Sequence, residues 1–127
     1  MLEPGTEFSA ERTFTDGMVD AFTAISLDRG RHHVTPDASP RIVHGLLVAT
    51  LATEIGGRLD FLARTINFEF LRPVYVGDTI RCTVRIDRTE PASDRTRLWL
   101  SALCVNQQGI EVMRVTSQGV VRALSQK

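Results

Sequence analysis

Two adjacent histidines follow an aspartate in the polar segment LDRGRHHVTPD, residues 27–37. His32 and His33 are two of only three histidines in the chain, and His33 stands five residues after Asp28. A carboxylate and an imidazole on one loop can hold the same water and share two proton transfers between them. Glycine, proline and arginine surround these residues, which is typical of a loop. The segment therefore contains either a candidate acid/base pair or a polar surface loop.

The elements that must position this segment are predicted by hydrophobic periodicity. Residues 6–15 predict a short strand, after which Thr15 or Asp16 can cap a helix that ends near Asp28. Residues 41–57, RIVHGLLVATLATEIGG, are apolar almost all round and end in paired glycines, which predicts a buried helix with a glycine C-cap. The apolar positions that define the first helix are Met18, Val19, Phe22 and Ile25.

The second half of the chain alternates apolar and polar residues, which is typical of antiparallel strands with one covered face. NQQG at residues 106–109 predicts a hairpin turn between the third and fourth of these four strands. An antiparallel sheet wrapped around one central apolar helix accounts for this order, so we expect a single α+β domain of the hot-dog type over residues 1–127. The predicted inward-facing residues are Ile66, Phe68, Phe70, Ile80, Cys82, Val84, Ile86, Leu98, Leu100, Ala102 and Cys104.

The composition is that of a single globular domain. The chain has 127 residues, of which 43% are hydrophobic and 24% charged, enough to bury a core. Its 15 basic and 15 acidic residues cancel, so nucleic-acid binding has no electrostatic support. The N-terminus lacks the features of a signal peptide, and the longest apolar run is too short to span a membrane. We expect a cytoplasmic protein with no membrane or nucleic-acid partner, in which Cys82 and Cys104 are buried thiols.

Three segments carry a family likeness: FTDGMVDAFTAIS at 14–26, IVHGLL at 42–47 and FLRPVYVGDTI at 70–80. In this order they resemble the opening helix, the start of the central helix and a strand–turn–strand segment of the MaoC-like dehydratases and (R)-specific enoyl-CoA hydratases. The likeness extends over residues 10–122. It implies a hot-dog fold, a homodimer or a higher homo-oligomer built from dimers, and an active site at the subunit interface.

The active-site motif of that family is Asp-x-Asn-Pro-x-His, and the resemblance lays its aspartate on Asp28 and its histidine on His33. Gly30 and Arg31 replace the Asn and Pro of the motif in this sequence. The implied reaction is the reversible hydration of a trans-2-enoyl thioester. In it the pair would handle the proton transfers. Gly45 would begin the central helix, and its backbone N–H would stabilise the enolate-like oxygen of the thioester.

His32, Thr53 and His44 are possible supporting residues. Neighbouring side chains of an extended loop point apart, so we expect at most one of the adjacent histidines to face the substrate. His32 would then hydrogen-bond within the loop or contact the partner subunit. Thr53 matches a position where the hydratases often carry a serine that touches the site, but a helical threonine can simply bond to its own helix. His44 precedes the predicted oxyanion glycine and either braces the helix start or takes part in the chemistry.

The sequence therefore predicts an (R)-specific enoyl-thioester hydratase, equivalently a 3-hydroxyacyl-thioester dehydratase, that acts on an acyl-CoA or acyl-carrier-protein thioester without a cofactor. One alternative is a hot-dog acyl-CoA thioesterase that uses Glu54, the only acidic residue within the central helix. Another is a non-catalytic acyl-thioester-binding subunit of a heteromeric dehydratase. The three histidines with Asp28 or Asp37 include ligand types for zinc, but HExxH and paired-cysteine spacings are missing, so no metal is expected.

Overall fold

The computed structural model describes residues 2–34 and 40–122. The strands form one five-stranded antiparallel sheet in the spatial order β1-β3-β4-β5-β2, so β1 and β2 are its edges. In these two ranges no helix is long and apolar enough to cross a membrane. The elements are β1 (Glu7–Thr13), α1 (Asp16–Ser26), α2 (Arg31–Val34), α3 (Gly45–Arg58), β2 (Phe61–Phe70), β3 (Thr79–Pro91), β4 (Arg95–Val105) and β5 (Glu111–Arg122).

The inner face of the sheet covers one side of α3, which confirms the predicted antiparallel sheet around a single central helix. The helix buries Leu51 and Ile55 completely, together with Leu47, Val48 and Ala49. The predicted alternation of β3 is also confirmed, since Ile80, Cys82, Val84 and Ile86 are all buried. On the edge strand β2, by contrast, Ile66 and Phe70 stay 42% and 55% exposed, since within the described residues β2 has a neighbouring strand on one side only.

The central helix begins four residues later than predicted. The N–H of Val43 donates to the carbonyl of Val74 at 2.7 Å, and Ile42 forms a bridge with Tyr75. These bonds hold the start of the 41–57 segment in an extended conformation, so helical hydrogen bonding starts only at Gly45. The prediction of a helix from residue 41 is therefore wrong, whereas the expectation that Gly45 begins the central helix is confirmed.

The end of α3 also differs from the prediction. Gly56 and Gly57 lie inside the helix, and the cap is Leu59, whose N–H bonds back to the carbonyls of the last turn. The left-handed residue that turns the chain into β2 is Asp60, with φ 54. The predicted glycine C-cap is wrong, because the two glycines continue the helix.

The first helix starts as predicted, with Thr15 as the N-cap accepting a hydrogen bond from the N–H of Met18 at 3.2 Å. It stops where Leu27 turns into the left-handed region with φ 61. Ile25 was predicted on its apolar face but is 81% exposed, since the last turn of α1 projects beyond the core. The following segment was predicted as an extended loop, yet it forms the short helix α2, which opens with a bond from the N–H of His33 to the carbonyl of Gly30.

A close approach of two backbones fixes the position of β2 against β5. A Cβ atom at Gly119 would collide with the carbonyl of Leu62 and lie 2.7 Å from the Cα of Ala63. We expect Gly119→Ala to lower the free energy of unfolding by about 1–3 kcal/mol, because backbone atoms of a paired strand cannot yield cheaply. Urea denaturation at a single protein concentration, followed by circular dichroism, measures the change.

Gly57 provides the matched control for this substitution. A Cβ at this helical position meets no atom within 4 Å. Alanine is the better helix former, so Gly57→Ala should be neutral or stabilising by up to about 1 kcal/mol. Equal unfolding free energies for the two variants would contradict the observed register of β2 on β5.

Candidate active site

Three segments bring their functional groups to one open cleft of about 710 Å³. Asp28 follows the left-handed end of α1, His33 lies in α2, and Gly45 begins α3. All three line this cleft, together with apolar residues at the end of β2 and in the segment that follows it. We refer to it as the Asp28 cleft. The predicted acid/base residues and the predicted oxyanion glycine therefore share one surface.

Asp28 and His33 lie next to each other in the wall of the cleft. Nε2 of His33 lies 3.8 Å from Oδ2 of Asp28, and the histidine side chain is 7% exposed against 54% for the aspartate. Nδ1 of His33 lies 2.6 Å from the carbonyl of Ile42, and because a carbonyl only accepts, this nitrogen carries a proton. In the neutral ring Nε2 is then the bare nitrogen, and its lone pair is directed towards the carboxylate side.

The other oxygen of Asp28 is held by backbone. The N–H of Gly30 donates to Oδ1 at 3.1 Å. This hydrogen bond lowers the pKa of Asp28 below its ordinary value, and the nearby imidazoles of His33, His44 and His32 lower it further, whereas desolvation acts in the opposite direction. Asp28 is therefore a carboxylate at neutral pH, with Oδ2 left to act on a ligand.

His44 lies directly behind this pair. Its ring stacks on His33, with centroids 3.8 Å apart and 18° between the planes. Its Nε2 is 3.0 Å from the backbone carbonyl of Asp28 and 3.3 Å from Oγ1 of Thr23. The hydroxyl of Thr23 donates to the carbonyl of Val19, so its Oγ1 is the acceptor in the contact with His44. Nε2 of His44 therefore carries the proton that it shares between Thr23 Oγ1 and the Asp28 carbonyl. His44 thus contacts both members of the pair.

Gly45 supplies the first residue of α3. Among the described residues, none accepts a hydrogen bond from its N–H, as expected for the first turn of a helix. A Cβ atom at this position would come within 2.7 Å of the Phe70 ring, so the ring lies directly against the glycine. The free N–H and the positive end of the helix dipole suit a developing negative charge in the cleft.

The structure places His32 and Thr53 at different openings. His32 is exposed, its ring centroid lies 4.0 Å from that of His33, and it also lines the Asp28 cleft. In the helix α2 neighbouring side chains diverge by about 100° rather than 180°, so both histidines reach the cleft, contrary to the expectation from an extended loop. Thr53 bonds to the carbonyl of Thr50 in its own helix at 2.9 Å and does not line the Asp28 cleft.

A second, apolar opening lies farther along α3. It is bordered by Ala52, Thr53 and Gly56 of the helix and by Ile66 and Phe68 of β2. We refer to it as the apolar groove. Its helical residues continue the side of α3 that carries Gly45, since positions three or four apart share a face. The apolar groove is also lined by inner-face residues of β3, β4 and β5, so it lies between α3 and the sheet and follows the Asp28 cleft along the helix.

Glu54 lies on the opposite side of α3. Its two oxygens are each 2.6 Å from a guanidinium nitrogen, one of Arg12 in β1 and one of Arg58. Arg12 and, to a smaller extent, Arg58 lower the pKa of Glu54 below its ordinary value. The carboxylate lines neither the cleft nor the groove.

A metal ion fits the histidine cluster poorly. One ligand atom from each of Asp28, His33 and His44 can be found within 4.8 Å of the others. Imidazole binds zinc in the ring plane at about 2.0–2.1 Å, whereas two nearly parallel rings 3.8 Å apart would place a shared ion well outside both planes. Asp37, the alternative ligand, lies outside the described residues.

Known proteins share this architecture. Residues 46–93 match the Thioesterase superfamily. No curated protein shows significant sequence similarity to the chain. An (R)-hydratase from A. caviae involved in PHA biosynthesis shares 26% identity and a TM-score of 0.77 over 93% of this chain and 94% of its own.

Two further structures match nearly all of both chains. A MaoC-like dehydratase from Rhodospirillum rubrum has a TM-score of 0.80 at 17% identity, covering 97% of this chain and 94% of its own. The ChsH1-ChsH2 complex from Mycobacterium tuberculosis has a TM-score of 0.81 at 13% identity, covering 97% of this chain and 100% of that chain. The chain has the hot-dog fold. The resemblance to MaoC-like dehydratases and (R)-hydratases inferred from its sequence is confirmed.

Arg41 is a structural residue of this hot-dog protein that sequence reasoning missed. Its Nε donates to the carbonyl of His33 at 2.8 Å, while Nη1 and Nη2 reach Asp16 and Asp20 at 2.7 and 2.9 Å. Asp20 and Asp16 raise the pKa of Arg41 above its ordinary value. The guanidinium thus joins α1 to α2 and holds the backbone of His33. The two aspartates four residues apart on one face of α1 were the available signal.

We expect Arg41→Gln to lower the free energy of unfolding of the hot-dog domain by about 1–2 kcal/mol. Three charge-assisted hydrogen bonds are lost, but both aspartates are two-thirds exposed and stay solvated without their partner. Urea denaturation measures the loss. Arg114→Gln is the matched control, since Arg114 is 57% exposed and pairs only with Glu111, three residues away. It should cost at most about 1 kcal/mol, and an equal cost for both would contradict a role of Arg41 in joining α1 to α2.

Proposed function

We propose that the chain is an (R)-specific enoyl-thioester hydratase, or in the reverse direction a 3-hydroxyacyl-thioester dehydratase, for acyl-CoA or acyl-carrier-protein substrates. The observation that carries the proposal is the pairing of a carboxylate oxygen of Asp28 with Nε2 of His33, 3.8 Å apart, in a cleft that also contains Gly45. The similarity to (R)-hydratases and MaoC-like dehydratases supports the same reaction class.

In the hydration direction, the pair would bind the reacting water. Oδ2 of Asp28 and the bare Nε2 of His33 are both acceptors, so one water can donate one hydrogen to each. As the water oxygen bonds to Cβ of the enoyl group, one of its O–H bonds breaks and the proton passes to the pair. The electron pair of the C=C bond moves to the thioester oxygen, where the N–H of Gly45 stabilises the charge.

The second half of the reaction returns that proton. The enolate-like intermediate collapses, its electron pair forms a bond from Cα to hydrogen, and the pair is restored to its starting state. One water is consumed and one C–O and one C–H bond are formed. Dehydration follows the same steps in reverse. The two residues supply both proton transfers, so the proposed reaction requires no cofactor.

The apolar groove supports a thioester with an apolar acyl group. The reacting carbons would lie at Gly45, and the groove begins about two helical turns farther along α3 on the same side. Its walls consist mostly of apolar side chains, so burial of an alkyl chain there is favourable by the hydrophobic effect. The groove therefore offers a continuation of the site for the part of the substrate that does not react.

The two changes in the family motif leave the carboxylate supported. Gly30 stands where the motif has Asn, and its backbone N–H holds Oδ1 of Asp28. Every residue except proline supplies this donor, so the contact does not depend on the side chain at position 30. Arg31 stands where the motif has Pro and begins α2, the helix that carries His33.

A thioesterase is the second candidate, because residues 46–93 match the Thioesterase superfamily. That reaction would rest on Glu54, the predicted carboxylate of the central helix. A carboxylate bound by Arg12 and Arg58 is a weak base, and it lies away from the cleft. A non-catalytic subunit of a heteromeric dehydratase is the third candidate, and the similarity in fold to a chain of the ChsH1-ChsH2 complex supports it.

The proposal includes a homodimer, or a higher homo-oligomer built from dimers, in a cytoplasmic location. The edge strand β2 supports the dimer. Its outer main-chain groups have no strand beside them within the described chain, and Leu62, Ile66 and Phe70 are 62%, 42% and 55% exposed. An exposed apolar edge of this kind is unfavourable in a monomer and suits pairing with a second copy.

Substitution of the proposed pair tests the reaction. We expect Asp28→Asn and His33→Gln each to lower kcat for crotonyl-CoA hydration by about 10²–10⁴-fold, because each removes one of the two proton acceptors. Loss of the enoyl-thioester absorbance measures the rate, and circular dichroism verifies that the variants fold. Full activity in both variants would overturn the assignment.

Glu54→Gln tests the thioesterase reaction and is the matched control for the hydration assay. It should leave the hydration rate within about twofold of wild type, because Glu54 lines neither opening. A thiol reagent measures the release of free CoA from saturated acyl-CoA. Thiol release that depends on Glu54 and not on His33 would favour the thioesterase. A wild-type chain without either activity, which gains hydration on mixing with a second hot-dog chain, would favour the heteromeric subunit.

Sedimentation equilibrium tests the proposed dimer. Each chain has a mass of 14.1 kDa, so the measured mass of the particle should be that of an even number of chains. Leu62→Lys should lower the association, because it places a charge on the exposed edge strand. Thr116→Lys is the control, because Thr116 lies on β5, an interior strand of the sheet, and is exposed to solvent. A monomeric wild type at micromolar concentration would refute the oligomer.

A further inference from the structure

One buried side-chain nitrogen has no hydrogen-bond partner among the residues that the structure describes, and it is Nδ1 of His44. The side chain is 2% exposed. Buried polar atoms are almost always paired, because leaving one unpaired costs free energy. Packing alone would favour an apolar residue at this position. The N-terminus of α3 does not account for the histidine either, because its side chain forms no capping bond.

The contacts of His44 are concentrated on the proposed acid/base pair. Its face lies on the ring of His33 at 3.8 Å, and its Nε2–H donates to the main-chain carbonyl of Asp28 at 3.0 Å. On the other side, the Phe22 ring packs against the imidazole, with ring centroids 4.9 Å apart and 56° between the planes. The next residue is Gly45. The ring therefore contacts the base and the backbone of the carboxylate, and it belongs to the residue that directly precedes the one with the free N–H.

We propose that His44 is a positioning residue that holds Asp28, His33 and the Gly45 N–H in one arrangement, an inference that rests on the proposed function. The stacked ring keeps His33 in the orientation that bonds Nδ1 to the Ile42 carbonyl and directs Nε2 at Asp28. The Nε2–H bond fixes the segment from which the Asp28 side chain projects. His44 touches no reacting atom in this role.

Two variants separate the two contacts. His44→Phe keeps an aromatic face against His33 but loses the N–H donor, whereas His44→Gln keeps a donor in reach of the Asp28 carbonyl but loses the ring. A misplacement of about 1 Å in a catalytic group can cost 10²-fold in rate. We therefore expect each variant to lower kcat for crotonyl-CoA hydration by about 10–100-fold, with KM changed less than about threefold. The acid limb of the pH–rate profile should also shift, because the distance from Asp28 to the imidazoles changes.

Ile86→Ala is the matched control for loss of stability. Ile86 is fully buried on the inner face of β3 and lines neither the Asp28 cleft nor the apolar groove. At a temperature well below its melting transition, this variant should keep the wild-type kcat and pH–rate profile. A fall in melting temperature for the His44 variants without any change in kcat or in the pH–rate profile would overturn the positioning role.

Nitrogen NMR of the histidine side chains gives a readout that does not depend on activity. In the wild type, His33 should be the Nδ1–H tautomer, as its bond to Ile42 requires. In His44→Gln, loss of the stacked ring should produce a mixture of tautomers. If the wild type has no hydratase activity but the tautomer changes in the variant, the positioning inference stands and the proposed reaction fails. An unchanged tautomer together with unchanged kcat would refute the inference.

Discussion

The burial of one apolar helix against one sheet is the constraint on which the rest of the structure depends. A five-stranded sheet covers only part of the circumference of α3, and the strand order makes β2 the edge next to the uncovered side. The apolar groove lies between α3 and the inner face of β2, β3, β4 and β5, and the Asp28 cleft lies at the start of the same helix beside the end of β2. Both openings are therefore spaces that the packing of the helix on the sheet leaves unfilled. Ile66 and Phe70 remain partly exposed on the edge strand, which suits association with another chain.

The N-terminus of α3 determines what the site contains. The segment before it is fixed by the bond of Val43 to Val74, so the helix can begin only where this pairing ends. The carbonyl of Ile42 selects the tautomer of His33, and the N–H of Gly30 stabilises the charge of Asp28. Backbone atoms thus select the tautomer of His33 and stabilise the ionised form of Asp28. These two contacts depend on the local backbone path and not on the side chains at positions 30 and 31.

The sequence predicted those features that depend on local pattern. The alternation in β3 identified its buried face, and the family resemblance selected Asp28 and His33 as the candidate pair. It failed where distant contacts decide the conformation: the start of α3 depends on Val74, about thirty residues away, and α2 is too short to show a helical period. The role of Arg41 depends on Asp16 and Asp20, which precede it by 25 and 21 residues. The stacking of His44 on His33 likewise required the folded chain.

The structure also bears on why one fold can serve both hydratases and thioesterases. A carboxylate acts as a base or orients water only if one of its oxygens is free and reaches the substrate. Both oxygens of Glu54 are bound by arginines on the β1 side of α3, where the carboxylate joins the helix to the sheet. Asp28 is stabilised by a neutral N–H on one oxygen, and its other oxygen lies beside Nε2 of His33. The carboxylate with an oxygen free of arginine thus lies in the Asp28 cleft at the start of the central helix, and this is the arrangement that the proposed hydration requires.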